Sequence, residues 1–399
     1  MKINITLFTI FLYIFSAQVA LSKPLEVDNI RNIYAIAVHP QDSARLLLAT
    51  KTGLYVTTKN NEAEPLARLG DRLISLAVSP GKNSTLYASG SPAIGGNLGL
   101  LSSNDSGKTW KQLSRGANGP VGFRHLIISR SDPKTIYGTY QGLQVSRDGG
   151  KNWQQVAPLP PNLYALAVSA KDPLLLYAGT KKGLYVSRDG GKSWNDPYGF
   201  DLPVTMVNTL STGRVYTFVV GRGLLRGQEG KTEWVPVNNK LGAQVLTQLI
   251  ATPDKKDQLY ALNHVGKILS SQDGGKNWQR IVSGQKTLTK AAERGKTLFK
   301  ANCQKCHGIN GVGENYSKES LANRKYRMAP PLDYSAHGWH HADVDIMKTI
   351  LNGAPENKRM IAWKKTLSEK DVSDLLAYIR SLWDKRALDC QGPKHMKCG

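Results

Sequence analysis

The stretch YALAVSAKDPLLLYAGTKKGLYVSRDGGKSW, residues 164–194, holds the plan of most of the chain. An apolar strand, YALAVS, meets a Lys-Asp-Pro turn; a second strand, LLLYAGT, meets a Lys-Lys-Gly turn; a third, GLYVSRD, ends on Asp-Gly-Gly. Short runs of β-branched and aromatic residues punctuated by Asp, Gly and Pro predict antiparallel strands joined by tight turns. The closing segment SRDGGKSW (187–194) recurs as SNDSGKTW (103–110), SRDGGKNW (146–153) and SQDGGKNW (271–278), with a degenerate copy, RGQEGKTEW, at 226–234. The tryptophans Trp110, Trp153, Trp194, Trp234 and Trp278 fall 43, 41, 40 and 44 residues apart, so one structural unit is repeated with small insertions. Matching first strands begin near Ile33, Leu73, Phe123, Leu163, Val204 and Val245, which makes six copies. The first copy, ending GLYVTTKNN, has lost the aspartate and tryptophan of the closing segment, as terminal repeats commonly do.

A four-stranded meander per copy, with six copies arranged radially, makes an all-β six-bladed β-propeller. In the closing segment Asp-Gly-Gly supplies residues that tolerate positive φ, and the carboxylate can accept backbone N–H groups within the turn. The tryptophan then opens the outer strand and buries its ring beside the neighbouring blade. These segments resemble the Asp-box, or BNR, repeat of sialidases, sortilins and photosystem assembly factors, and the resemblance covers about residues 25–282. It implies that Asp105, Asp148, Asp189 and Asp273 serve the fold at the periphery of the propeller. Sialidase chemistry needs an arginine cluster and a carboxylate pair near the pore. Arg31, Arg72, Arg124 and Arg222 are present, yet the arginine motif ahead of the boxes is missing and no acid and nucleophile pair stands out, so no catalytic residue is assigned. His39 and His125 sit in or just after first strands, where the alternatives are ordinary hydrogen bonding or ligation of a metal or ligand. The Gly-rich loop at 89–99 is an insertion in the second copy, either a partner loop or a tolerated one.

After a connection at 283–290 the pattern becomes helical, AAERGKTLFKA at 291–301, and then reads CQKCHG at 303–308. Cys-x-x-Cys-His is the signature of covalent c-type haem attachment. Two thiols one helical turn apart can add to the two vinyl groups, and the adjacent imidazole lies under the iron. Cys303 and Cys306 are therefore read as the thioether residues of one haem c and His307 as its proximal ligand. A redox dithiol does not call for the histidine, and a zinc site lacks a second cysteine pair nearby. Residues 291–388 resemble a class I cytochrome c domain, through Gly295, Leu298 and Phe299 before the motif, CHGINGVG after it and APPL at 329–332. The resemblance implies a carbonyl at Pro330 that takes the free imidazole N–H of His307, and a methionine on the loop before the last helix as distal iron ligand. Met360, in NGAPENKRMIAW (352–363), matches that position, although Ile361 stands where the family usually has proline. Its rivals are His340, His341 and Met328. Ser368 caps a last helix whose apolar face is Val372, Leu375, Leu376, Ile379, Leu382 and Trp383, and the resemblance has it cross the first helix near the glycine, with Tyr378 at the matching aromatic position. Cys390 and Cys398 are expected to form a disulfide in an oxidising compartment, while His395 and Met396 between them are donor types that copper takes.

The expected organisation is a signal peptide at 1–22, the propeller at 23–282, a linker at 283–290 and an all-α cytochrome c domain with a C-terminal disulfide loop at 291–399. Lys2, the apolar run Ile3 to Phe15 and the small residues near Ser22 form the pattern of a cleaved export signal, which implies a periplasmic protein with no membrane span after maturation. The net charge is +23, and residues 290–399 hold 20 Lys or Arg against 12 Asp or Glu, so the excess is spread over both parts. Outside the cytoplasm such a surface has more reason to meet an acidic redox protein than nucleic acid. Three functions follow: an electron carrier whose propeller docks a partner or a small-molecule donor, an oxidoreductase whose propeller holds the substrate, and a binding or assembly module with a sensory haem.

Overall fold

The computed structural model describes residues 24–81, 84–255, 257–282, 287–323 and 325–398. The expected signal peptide and residues 283–286 of the expected linker lie outside the described residues. Six antiparallel sheets are built from consecutive strands, over residues 33–67, 72–114, 126–157, 163–187, 204–238 and 246–280. Their first strands neighbour one another around a closed ring, which makes the six-bladed propeller. The first blade gains a fifth strand, Leu25–Glu26, paired to Glu62 and Ala63. Among the described residues no strand is shared between the first and last blades; instead the Gln248 amide clasps Ile36, accepting its N–H at 2.8 Å and donating to its carbonyl at 3.0 Å.

The fourth blade departs from the four-stranded expectation, because its outer strand is reduced to one bridge between Val186 and Asn195. Immediately after it Asp196 accepts the N–H groups of Tyr198 and Gly199, each at 3.1 Å, and Pro197 has no N–H to give a ladder. The third blade's first strand starts at Leu126 rather than near Phe123. Five of the six first strands carry a register shift near their start, as between Leu163 and Ala165, and such bulges bend a strand and re-aim its side chains.

The boxes are closed hydrogen-bonded turns. In the third blade Ser146 donates its hydroxyl to Asp148 at 2.8 Å, and Gly150 donates its N–H to the Ser146 hydroxyl at 2.8 Å. The Asp148 carboxylate also takes the N–H groups of Lys151 and Asn152, both at 3.0 Å. Trp153 folds back so that its indole N–H meets the Gly150 carbonyl at 3.0 Å, and its ring packs on Phe123 with centroids 4.6 Å apart. The second glycine of each box, in the left-handed region at φ +92° for Gly150 and +93° for Gly191, abuts a leucine of the preceding blade. A Cβ on Gly150 would lie 2.4 Å from Leu100, and one on Gly191 2.1 Å from Leu143.

The C-terminal domain is helical: α1 (Lys290–Asn302), α2 (Gln304–His307), α3 (Lys318–Ala322), α4 (Asp343–Asn352), α5 (Glu369–Ser381) and α6 (Lys385–Cys390). Ser368 and Asp371 form a capping box at the start of α5. Helices α1 and α5 cross at Gly295, where a Cβ would stand 1.9 Å from the Asp374 carbonyl oxygen, and Phe299 meets Tyr378 beside the crossing at 5.3 Å. Arg294 on α1 grips Asp374 with two bonds, at 2.7 and 2.9 Å. A disulfide joins Cys390 to Cys398. No described helix is long and apolar enough to cross a membrane.

This domain sits on the propeller face opposite the boxes. In an up-and-down blade the second-to-third turn and the loop between blades share one face, and the boxes lie on the other. The helical domain touches the first kind: Ala243, between blades five and six, donates to the Val312 carbonyl at 2.9 Å, and Asn263 of the sixth blade donates to the Tyr334 hydroxyl at 3.1 Å. Gln244 donates to buried Asp333 at 3.0 Å. Lys267 pairs with Asp384 at 2.7 Å and with Asp28 at 3.6 Å, and the Arg280 guanidinium lies over the Tyr334 ring at 4.2 Å.

Candidate functional site

Helix α1 ends where Cys303 caps it, and the single turn of α2 carries Cys306 and His307. Gly308 at φ +74° then reverses the chain, and Gly313 returns to donate its N–H to the His307 carbonyl at 2.7 Å. His307 is 9% exposed, and its Nδ1 donates to the Pro330 carbonyl at 2.8 Å. That bond fixes the tautomer and leaves Nε2 as the free lone pair. Burial holds His307 below the ordinary imidazole range despite this bond, which keeps that lone pair unprotonated at neutral pH. Neither cysteine is in a disulfide; Cys303 is half-buried and Cys306 exposed, and burial pushes the Cys303 thiol up to about 11. A neutral thiol in an apolar setting, a second thiol one turn on and an oriented imidazole form a donor set that fits a covalent haem.

Met360 is half-buried and packs against the apolar cluster of Phe299, Ile350, Leu375, Tyr378 and Trp383. Its loop is tied to the segment after α2 by Arg359, which reaches Glu314 with two bonds of 2.9 Å and the Arg327 carbonyl at 2.9 Å. Glu314 also takes the Tyr326 hydroxyl and the Ala329 N–H, both at 2.9 Å. Burial alone would raise this carboxyl, but Arg359, the Ala329 N–H and Tyr326 together hold it below the usual range. His340 and His341 lie with His337 and His395 beside the terminal disulfide.

The propeller's histidines are engaged in the scaffold. His125 bonds Thr139 through Nδ1 at 2.9 Å and the Tyr164 carbonyl of the next blade through Nε2 at 3.0 Å, and burial lowers it to about 4. His39 accepts the Gln41 N–H at 3.3 Å. Arg72 stacks on Tyr34 and Arg222 on Phe200. The box aspartates are structural anions: the Thr109 hydroxyl and N–H hold Asp105 at about 2, and the Asn152 N–H and amide hold Asp148 at about 2.

Two clefts open along the seam between the parts. One, of about 360 Å³, is lined by Phe218, Arg222, Trp234, Asn239 and, from the helical domain, Asn315 and Tyr316. Its neighbour, of about 370 Å³, shares Gly242 and Asn315 and reaches Gln304, Lys305 and Gly308 around the CQKCH turn. Sequence reasoning missed the seam, whose partners are far apart in the chain; Asp333 and Tyr334, directly after the APPL turn, were its nearest local signal.

The cytochrome c family profile matches residues 292–383, and the BNR/Asp-box repeat profile matches residues 144–155. Over 117 residues the chain is 33% identical to the cbb3-type cytochrome c oxidase subunit CcoP of Azospirillum brasilense, covering 29% of this chain and 37% of that one. Over 164 residues it is 30% identical to a probable oligoxyloglucan-reducing end-specific xyloglucanase of Neosartorya fischeri, covering 34% of this chain and 19% of that one. The chain thus spans well under half the length of either relative. Among solved structures, a GH74 enzyme of Niastella koreensis is 17% identical with a TM-score of 0.48, over 65% of this chain and 46% of that one. YCF48 from Cyanidioschyzon merolae is 18% identical with a TM-score of 0.43, over 67% of this chain and 89% of that one. Blades and helices together define a propeller joined to a haem-binding domain. The chain is an Asp-box propeller fused to a cytochrome c domain, and that domain implies a covalent haem c.

Proposed function

We propose that the chain is an exported, periplasmic single-haem carrier in which Cys303 and Cys306 hold the haem, His307 and Met360 bind its iron, and the propeller docks the redox partner. The observation that carries the reading is His307, buried and oriented by the Pro330 carbonyl, beside two free cysteines. Bound there, the haem supplies an iron that takes up and gives up one electron. The residues supply the rest. Pro330 fixes the imidazole, the Met360 thioether raises the potential and excludes other ligands, and the apolar cluster keeps water out. The net charge of +23 favours an acidic donor or acceptor.

A second reading, an oxidoreductase whose propeller holds a small substrate, draws on the seam clefts, since the two adjoin at Gly242 and Asn315 and together run from blade five to the CQKCH turn. The test is the purified holoprotein. One haem per chain, a low-spin spectrum with a methionine-to-iron band insensitive to carbon monoxide, and reduction by an acidic redox protein that slows steeply with salt are expected for the carrier. A second chromophore, or turnover of a small substrate, would replace that reading with the enzyme.

A further inference from the structure

Four of the chain's eight histidines lie together outside the haem site. His337, His340 and His341 come from the turn before α4, and His395 from the disulfide loop. Their rings form a closed circuit: His337 to His340 at 5.9 Å, His340 to His395 at 6.1 Å, His395 to His341 at 6.4 Å and His341 to His337 at 5.7 Å, between centroids. His337, His341 and His395 are exposed and His340 half-buried. We propose that these four imidazoles form a binding site for one late first-row divalent transition ion, copper(II) or zinc(II), on the surface of the cytochrome domain.

The backbone that carries the rings is fixed from several directions. Trp339, 7% exposed, plugs the turn into the domain core, with Arg386 stacked over its ring at 5.3 Å. His341 and His395 pair as an antiparallel bridge, and the Gln391 amide donates to the His341 carbonyl at 3.1 Å and to Asp343 at 2.7 Å. The Cys390–Cys398 disulfide closes the arm that presents His395. Four neutral nitrogen donors suit zinc and copper better than calcium or magnesium, which take oxygen. Among the described residues no three such side chains already surround one point. Donors at about 2.1 Å from a tetrahedral ion stand about 3.4 Å apart, so binding requires these rings to turn inward about their side-chain torsions.

The test uses the metal-stripped holoprotein, titrated with copper(II) under electron paramagnetic resonance and with zinc(II) by calorimetry. One ion per chain is expected, with a dissociation constant at or below about 1 μM and hyperfine structure from at least three imidazole nitrogens. Loss of a mere outer-shell partner costs up to about 100-fold, so the double variant His340→Ala/His395→Ala is expected to bind at least about 100-fold more weakly. His39→Ala, on the propeller, should bind as the parent does. The haem absorption spectrum reports folding of every variant, and its constancy during the titration separates this site from the iron. Binding weaker than about 1 mM, or equal affinity in the double variant, would overturn the proposal.

Discussion

Glu314 and Pro330 do matching work: one immobilises the loop that carries Met360, the other the ring of His307. Met360→Ala is expected to abolish the methionine-to-iron band, lower the reduction potential and open the iron to carbon monoxide; an intact band would place another residue on the iron. Because Glu314 titrates below its ordinary value in the fold, its contribution is complete above the unfolded carboxyl value of about 4.3 and fades as pH falls through the lowered folded value. The methionine band should therefore weaken on acidification before the helices unfold, as absorption and circular dichroism followed together will show. Glu314→Gln should flatten that pH dependence at a cost of about 1 kcal/mol, since Arg359 is partly solvent-screened. The Cys-x-x-Cys-His motif of the cytochrome c domain was legible in the sequence because five consecutive residues carry it. The Glu314–Arg359 tie was not, because its partners are 45 residues apart and each alone looks like a surface charge.

Among the elements, the box and the α1–α5 crossing are two places where a missing Cβ matters. At Gly191 an added Cβ meets the flexible end of Leu143 and a φ of +93°, so Gly191→Ala should cost about 1–3 kcal/mol. At Gly295 it meets backbone that cannot move aside. Gly295→Ala should therefore cost at least about 3 kcal/mol and lower the melting temperature of the haem domain more than Gly191→Ala lowers that of the propeller, as calorimetry will show. The serine cap of α5 and the period of its apolar face were readable because helix signals are local. The loss of the fourth blade's outer strand was not, since Asp196 and Pro197 look like any other turn until the ladder they interrupt is known. The leucine beneath each box glycine was equally hidden, because it belongs to another blade.

At the scale of the molecule, repetition made the ring legible: six copies of one pattern have few ways to stack. The seating of the cytochrome domain occurs once and rests on pairs such as Gln244–Asp333, 89 residues apart, so nothing local announced it. Asp384→Asn tests that seating, because it leaves Lys267, 11% exposed, without its nearest carboxylate. The expected cost is about 3 kcal/mol, with one calorimetric transition splitting into two. Burial alone would raise Asp384, but its bond from Lys267, the Ala387 N–H and the Lys267 and Arg280 charges hold it low. The parent should thus hold together above about pH 4 and uncouple as acid protonates Asp384 below that. The third party to this junction is Asp28, which meets Lys267 and Arg280 from the turn at Val27–Asn29. A peptidase nibbling through Leu25–Glu26 and the turn after it would remove that carboxylate at the cost of the first blade's added fifth strand alone, leaving the other strands of the ring and the helices of the C-terminal domain in place, so the rim of the ring is a tripwire for that domain's grip.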